Sequence, residues 1–341
     1  MSAGLTVSGV DGVPEVGPGD DLAAMVVRHV PDLRDGDVVV VTSKVMSKAE
    51  GRIVSTDRLT AIEAETSRVV ARRGPTTIAR TAHGLTLAAA GVDASNVEPG
   101  TVVLLPLDPD ASARSIRSRV RELAGANVAV VVTDTAGRPW REGQTDIAVG
   151  CAGLVPLDDH EGRYDTQGNL LSVTAPAVAD EVAAAADLVM GKVSDRPFAV
   201  VRGMQDRVLP AGTDGPGARA LIRPEQGDMF ALGAREAAVA AVLREDPQDL
   251  AALAALSSSA EPVDVDDLVA RAAGQVATRL DVRALQGSRR DVEVAGAYDV
   301  AISGALERVC ALAVVHGWQV VADDRNLGRC RIVLRCGTAN P

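Results

Sequence analysis

The sequence predicts a mixed α/β (α+β) fold with two domains and an aliphatic core. The first observation is that short β-branched runs alternate with segments whose apolar residues follow helical spacing. The second is composition, because 47% of the 341 residues are hydrophobic but only 2% are aromatic. The third is length, since one domain usually holds about 150 residues. A P-loop fold is not expected, because the pattern GxxxxGK[ST] is absent from the sequence.

Four runs bounded by Gly, Asp or Pro are predicted to be strands: Val38–Thr42, Thr101–Leu105, Val128–Thr133 and Ala199–Val201. Three helices are predicted between them. Asp20 or Asp21 is expected to cap the first, Ser112 is expected to cap the second, and Ala179–Met190 forms the third. Their apolar faces carry Leu22, Met25, Val26 and Val30 in the first helix, and Ile116 and Val120 in the second. The connections are long and irregular, so a regular doubly wound sheet is not expected.

A change of composition near Arg244 predicts a joint between a domain of residues 1–244 and a smaller α/β domain of residues 245–341. In the smaller domain one helical face is predicted from Ile302, Leu306, Val309 and Ala313. Two strands, Gln319–Val321 and Ile332–Leu334, are predicted on either side of a turn at Asp323–Asn326. No motif suggests what this domain does.

Net charge and cysteine usage limit the classes of partner and the cellular compartment that are expected for this protein. The 35 Lys and Arg residues against 46 Asp and Glu residues give a net charge of −11, which argues against a nucleic-acid partner. The four cysteines form no CxxC pair, which favours a reducing cytoplasm. The sequence shows neither a signal-peptide pattern nor an apolar run of about 18 residues, so no membrane association is expected.

Three segments carry groups suited to anions or metals. Thr42–Gly51 places hydroxyls and two ammonium groups after a strand, which suits a phosphate but also describes a solvated turn. Ala88–Val97 offers hard oxygen ligands for Mg²⁺ or Mn²⁺, or a simple Asx turn. Val128–Asp146 ends a buried strand at Asp134 and Thr135 and continues into a basic turn. There, Arg138 and Arg141 are candidate clamps for a phosphate or carboxylate substrate.

Other candidates are weaker. His83 and His160 lack the spacing of a zinc site and are expected to form local hydrogen bonds. Gly212–Pro224 is either a phosphate-facing loop or a mobile one. No GxSxG elbow indicates a serine hydrolase.

The segments resemble, in order, the coenzyme F420-0:L-glutamate ligase family, GTP-dependent enzymes that attach glutamate to a deazaflavin cofactor. The shared motifs are VPEV, GDDL, DGDVVVVTSKVMSKAEGR, HGL, AGVDASNV, LLPLDPDASA, VTDTAGRPWREGQTDIAVG and RGM. They cover Val7–Phe230 and are most similar to the actinobacterial branch of the family. The resemblance implies a mixed α/β fold unrelated to P-loop enzymes, in an intertwined homodimer.

The resemblance also implies site residues. GTP contacts fall on Val13, Pro14, Glu15, Val16, Ser43, Lys48 and Asn96. Two divalent ions, Mg²⁺ or Mn²⁺, are implied at Asp93, Asp134 and Thr135, and K⁺ is a further candidate ion. Lys48, Asp93 and Asp134 are the implied catalytic groups. One more metal or phosphate contact falls on Gln205 or Asp206, between which the sequence does not decide.

The implied reaction adds L-glutamate to coenzyme F420-0, and to F420-1, through an acyl phosphate, and it releases GDP and phosphate. Two alternatives stay open: a ligase of the same chemistry acting on another phosphorylated acid, and a non-catalytic nucleotide-binding homologue. Some actinobacterial relatives carry a longer FMN-binding, nitroreductase-like domain. The shorter C-terminal region here is either a reduced remnant of it or unrelated, so FMN is not expected.

Overall fold

A computed structural model of the chain describes residues 4–95, 97–192, 194–228, 230–234, 236–238, 265–273, 280–284, 291–297, 300–316, 318–326 and 329–336. The chain divides into two compact units. The first comprises Met1–Arg68 and Arg72–Arg223, and the second comprises Val69–Ala71 and Pro224–Pro341. The predicted joint at residue 244 lies outside the described residues. Within the described ranges, every helix is too short or too polar to cross a membrane.

The strands are β1 Thr6–Gly9, β2 Val38–Thr42, β3 Ile53–Ser55, β4 Thr66–Arg73, β5 Thr76–Thr81, β6 Thr86–Ala88, β7 Thr101–Val103, β8 Ala129–Gly137, β9 Gln144–Ala152, β10 Phe198–Arg202, β11 Asp281–Ala284, β12 Asp291–Ala297, β13 Trp318–Asn326 and β14 Arg329–Cys336. The helices are α1 Leu22–His29, α2 Ser43–Ala49, α3 Arg58–Glu65, α4 Pro109–Ala124, α5 Val178–Met190, α6 Val265–Ala273 and α7 Val300–Val315. The predicted mixed α/β class is confirmed.

The first unit is built on a five-stranded sheet in the order β1-β10-β2-β8-β9. Within it β2 and β8 are parallel, whereas the other neighbours are antiparallel. This mixture confirms that the sheet is not a regular doubly wound one. The parallel pair matters most for the site, because both strands end at the same edge of the sheet.

Helices cover both faces of this sheet. Val39 and Val41 of β2 pack with α1 and α4 on one face, whereas Val38 and Val40 pack with α5 on the other. All four valines are fully buried. The continuous run of valines thus reflects a strand that is buried on both faces, in which side chains alternate between two cores.

The capping residues of α1 and α4 set the residues at which these two helices begin. Asp21 caps α1, as predicted, by accepting a hydrogen bond of 2.9 Å from the backbone N–H of Ala24. The prediction of Ser112 as the cap of α4 is wrong, because that helix begins at Pro109 and is capped by Asp108. A proline fits the first helical position well, since its fixed φ suits the helix and it has no N–H left unpaired.

Two smaller sheets are formed by strands between Ile53 and Val103. Strand β3 pairs with β7, and β4, β5 and β6 form a three-stranded sheet. The predicted strand Thr101–Leu105 is shorter than expected, since β7 ends at Val103. Strand β8 is longer than expected, because beyond Thr133 it stays paired with β9 up to Gly137.

The second unit contains an antiparallel sheet in the order β11-β12-β14-β13. The predicted helical face is confirmed, because Ile302, Leu306, Val309 and Ala313 of α7 are all buried in its core. The predicted turn at Asp323–Asn326 is wrong, since these residues continue β13 and pair with β14. Strand β13 lies at the edge of the sheet, where charged residues are common in strands, and this explains the error.

Candidate active site

Several of the predicted site residues gather where β2 and β8 end. The two strands run parallel with Thr42 opposite Thr133, so the residues that follow them are neighbours. The segment after β2 is the short helix α2, in which Ser43, Ser47 and Lys48 are buried. The alternative interpretation of this segment as a solvated turn is therefore wrong.

Asp134 lies at the centre of this edge. Its Oδ1 accepts a hydrogen bond of 3.0 Å from the Ser43 hydroxyl. Burial raises the pKa of Asp134 to about 6, and the charges of Asp146 and Asp93 act in the same direction, against the hydrogen bond from Ser43. A carboxylate held in so unfavourable an environment gains from a nearby cation.

Asp93 is held differently, by a lysine and a turn. Its Oδ2 lies 2.6 Å from Lys44 Nζ, and its Oδ1 accepts a hydrogen bond of 2.8 Å from the Ser95 N–H. The predicted Asx turn is thus present, and it places a carboxylate beside α2. Partial burial opposes ionisation, but Lys44 and Ser95 outweigh it and lower the pKa of Asp93.

A cavity of about 540 Å³ opens beside α2. It is lined by Glu15, Val16, Lys48, Ile53, Val97, Glu98 and Thr101. Lys48 is largely buried and forms an ion pair with Glu15, whose side chain is 84% exposed. The predicted nucleotide contacts Glu15, Val16 and Lys48 therefore surround one space.

Three further predicted nucleotide contacts, Val13, Pro14 and Ser43, do not line the cavity. Val13 packs against the core and Pro14 is exposed, and neither lines the cavity. Ser43 faces Asp134 instead. Asn96 lies outside the described residues, although Val97, which follows it, lines the cavity.

Thr135 belongs to a second cluster. Its hydroxyl donates to Asp146 Oδ1 at 2.8 Å and accepts a hydrogen bond of 3.0 Å from Lys192 Nζ. Asp146 is buried and lies directly opposite Thr135 in the pairing of β8 with β9. A hairpin prediction around the Arg138 turn would have found Asp146, whereas no sequence signal places Lys192 there.

Among the described residues, no hydrogen bond or ion pair joins Arg138, Arg141, Gln205 or Asp206 to these groups. Arg138 lies in the exposed turn after β8 and donates a hydrogen bond of 2.8 Å to the Glu142 carbonyl. It is four positions along the chain from Asp134, which corresponds to roughly 13 Å of extended backbone. Gln205 packs against Gly36, which precedes β2, and is therefore at the opposite end of the sheet.

The two histidines have the local roles predicted for them. His83 Nε2 is 2.9 Å from the Pro106 carbonyl oxygen, and His160 Nε2 is 3.2 Å from the Asp158 carboxylate. Neither histidine approaches the carboxylates at the end of β8 through these contacts.

The donors at this edge suit a hard divalent cation. Asp134, Asp93 and Thr135 present carboxylate and hydroxyl oxygens, which Mg²⁺ and Mn²⁺ prefer. Across the ranges the structure describes, no three Cys, His, Asp or Glu side chains converge as a metal-binding group. A cation here would therefore be held by one or two carboxylates and would complete its coordination with water and phosphate oxygens.

Comparison with known proteins identifies the family of the chain. The family model described as F420-0:Gamma-glutamyl ligase matches residues 12–203, more than half of the chain. The coenzyme F420:L-glutamate ligase of Methanothermobacter thermautotrophicus is 38% identical over 255 residues, which cover 67% of this chain and 99% of the relative. The enzyme of the same name from Archaeoglobus fulgidus is 41% identical over 216 residues, which cover 57% and 86% of the two chains. The chain therefore belongs to the F420-0:gamma-glutamyl ligase family of enzymes.

Proposed function

We propose that the protein is a GTP- and divalent-metal-dependent ligase that adds L-glutamate to coenzyme F420-0, and then to F420-1, in coenzyme F420 biosynthesis. The observation that carries the proposal is the position of the cavity beside Lys48, next to the Ser43–Asp134 and Lys44–Asp93 pairs. The names of the relatives supply coenzyme F420 and L-glutamate, and GTP comes from the family resemblance of the sequence motifs.

The cavity beside α2 is the proposed GTP site. Its volume of about 540 Å³ falls within the usual range for small-molecule sites. Lys48 carries a compact charge suited to a phosphate, and its partner Glu15 is exposed enough to release it. Asn96, implied by the family resemblance, stays part of this proposal.

Asp134 and Asp93 are the proposed ligands of Mg²⁺ or Mn²⁺, with Thr135 as the proposed contact of a second ion. When bound, such an ion would supply positive charge that offsets the negative charge developing during phosphoryl transfer. The Ser43 hydroxyl orients the Asp134 carboxylate through its Oδ1. Lys44 similarly orients Asp93. K⁺ is a further candidate ion, and Arg138 and Arg141 stay predicted substrate contacts.

The chemistry follows from the inertness of a carboxylate toward amines. The terminal carboxylate of the acceptor attacks the γ-phosphorus of GTP, GDP leaves, and an acyl phosphate forms. The α-amino group of L-glutamate then attacks the acyl carbon, phosphate leaves, and the amine gives up a proton. Positioning and charge neutralisation are sufficient for both steps, so no protein nucleophile is required.

The test is to measure release of GDP and phosphate with each substrate omitted in turn. We expect release to require GTP, Mg²⁺ or Mn²⁺, F420-0 and L-glutamate, and the product to gain one glutamate by mass. Product formation with another acid but not with F420-0 would indicate the same-chemistry alternative. GTP binding without turnover under every condition would indicate the non-catalytic alternative.

The proposed assembly is a homodimer, as the family resemblance implies. Cysteine usage favours the cytoplasm, and the net charge of −11 disfavours a nucleic-acid partner. A membrane partner is not expected either, because the sequence lacks a signal-peptide pattern and a spanning apolar run. Tyr164, Leu170 and Val173 lie close together in the chain before α5 and are 70%, 60% and 90% exposed. Such exposed apolar side chains are suited to burial against a second copy. Light scattering at micromolar concentration tests this, and a monomer would contradict it.

A further inference from the structure

Lysine is rare in this chain, and its positions are informative. The sequence contains three lysines, Lys44, Lys48 and Lys192, among 35 basic residues. The first two flank the proposed GTP and metal groups. The third is distant in sequence, yet its ammonium reaches Thr135 at the end of β8. All three lysines therefore lie at the same edge of the central sheet, while arginine supplies the other positive charges.

Lys192 approaches that edge from the opposite face. Asp134 and Thr135 are consecutive in β8, so their side chains point to opposite faces of the sheet. Asp134 contacts Ser43 of α2, on the face of the proposed GTP site. Thr135 contacts Lys192, which follows α5 on the other face.

The ammonium of Lys192 has unused hydrogen-bonding capacity. Lys44 and Lys48 are paired with Asp93 and Glu15. Lys192 is exposed, and in the described part of the chain its hydrogen bond goes to a hydroxyl rather than to a carboxylate. An ammonium group has three donors, so two are left for a ligand.

Two carboxylates, those of Asp146 and Asp187, lie near Lys192. Asp146 accepts from the same Thr135 hydroxyl, and Asp187 of α5 interacts electrostatically with Lys192 and with Asp146. Neither carboxylate is within ion-pair distance of the ammonium among the described contacts, so a carboxylate from solution can approach.

We propose that Lys192 binds a carboxylate of a substrate on the α5 face of the sheet edge. The inference rests on the proposed ligase function, because that reaction brings two acids, the acceptor and L-glutamate, to a phosphate held from the α2 face. Charge-assisted hydrogen bonds from an ammonium suit either acid. The shared chemistry is the carboxylate, and the experiment separates its two sources.

The first measurement is kinetic. Lys192→Met removes the charge at similar length, and Lys192→Arg keeps it. We expect Lys192→Met to raise KM for L-glutamate or for F420-0 about ten- to hundredfold. This is the change in affinity that usually follows the loss of a hydrogen bond to a charged group. KM for GTP should stay within about twofold, and Lys192→Arg should recover part of the loss. The acid whose KM rises is the one that Lys192 binds.

A matched control is Arg196→Met. Arg196 lies in the same connection between α5 and β10, but its guanidinium pairs with Asp11, 2.6 Å away. We expect this variant to keep all three KM values. Two results for Lys192→Met would overturn the proposal: an equal rise in all three KM values, or an unchanged KM for both L-glutamate and F420-0.

The second measurement does not need turnover. Acetylation of lysines by a mild reagent, followed by peptide mass spectrometry, resolves three sites in this chain. We expect L-glutamate or F420-0 to slow modification of Lys192, and GTP to slow that of Lys48. A wild-type enzyme that is active while neither acid protects Lys192 would refute this inference alone. Absence of any GTP-dependent ligation would instead refute the proposed function.

Discussion

Ser43 and Asp134 are 91 positions apart in the chain, yet the hydroxyl of one donates to the carboxylate of the other across 3.0 Å. The parallel pairing of β2 with β8 explains this contact, since it places Thr42 beside Thr133 and so aligns the residues that follow. Most sites in open α/β sheets lie at such carboxyl ends. The contact fixes the orientation of a carboxylate that burial makes reluctant to ionise.

Asp134→Asn should abolish ligation and leave the fold intact. The amide keeps the shape of the side chain but removes the charge proposed to hold a dication, and loss of such an electrostatic element costs roughly 100-fold or more in rate. Turnover at saturating Mn²⁺ and circular dichroism check the two parts. Near-normal turnover would contradict the metal-ligand role.

The raised pKa of Asp134 predicts how metal-free stability changes with pH. With a pKa of about 6 when folded against an ordinary 3.8, Asp134 holds its proton more tightly in the folded state. Raising the pH through that interval should therefore lower the free energy of unfolding, by up to about 3 kcal/mol. Asp134→Asn should lack this contribution.

Urea unfolding in EDTA between pH 4 and pH 7.5 measures the difference between the two proteins. We expect Asp134→Asn to become progressively more stable relative to the wild type as the pH rises. Parallel pH profiles would show that Asp134 titrates normally in the folded chain.

Lys48→Ala should weaken GTP binding more than Lys44→Ala does. Lys48 lines the cavity, whereas Lys44 contacts Asp93 and Ser95. We expect Lys44→Ala mainly to lower the affinity for Mn²⁺, because Asp93 then loses its orienting partner. Titrations with GTP and with Mn²⁺ separate the two effects, and equal losses of GTP affinity would contradict the assignment.

The sequence predicts the groups of this site better than their arrangement. The valine run of β2 and the motif residues Asp93 and Asp134 could be located because strand ends and Asx turns have local signatures. Thr135 and Asp146 required the pairing of β8 with β9, which depends on the register of a hairpin. Lys192 required the packing of α5 against the sheet. Such long-range contacts leave no periodic pattern in the chain.

Arg117→Met should destabilise the first unit by about 3–5 kcal/mol, as is usual when a buried charged network loses its centre. Arg117 is 5% exposed and its guanidinium reaches six acceptors. These are the carbonyls of Val128, Leu209, Pro210 and Thr213 and the side chains of Asn127 and Asp214.

Arg119→Met is the matched control, since Arg119 lies on the same helix and pairs with Asp21 and Glu122 at the surface. We expect that change to cost less than about 1 kcal/mol. Urea unfolding of both variants at neutral pH measures the difference. Similar losses for the two would show that the Arg117 network contributes little.

A chain truncated after Arg244 should still add the first glutamate, and the full-length protein should not copurify with FMN. The residues proposed for GTP, metal and substrate lie between Val13 and Lys192, all within the first unit, and the family match ends at residue 203. Among the residues that the structure describes, the sheet of the second unit has four strands, and the sequence of this unit reveals no cofactor motif. Dimerisation must be checked alongside activity, because a segment that supports a dimer can sustain a site without touching substrate.

Product mass and light scattering on the truncated protein, and a flavin absorption spectrum of the full-length one, provide the measurements. A dimeric, folded but inactive truncation would show that the second unit is required, and stoichiometric flavin would show that this unit binds a cofactor.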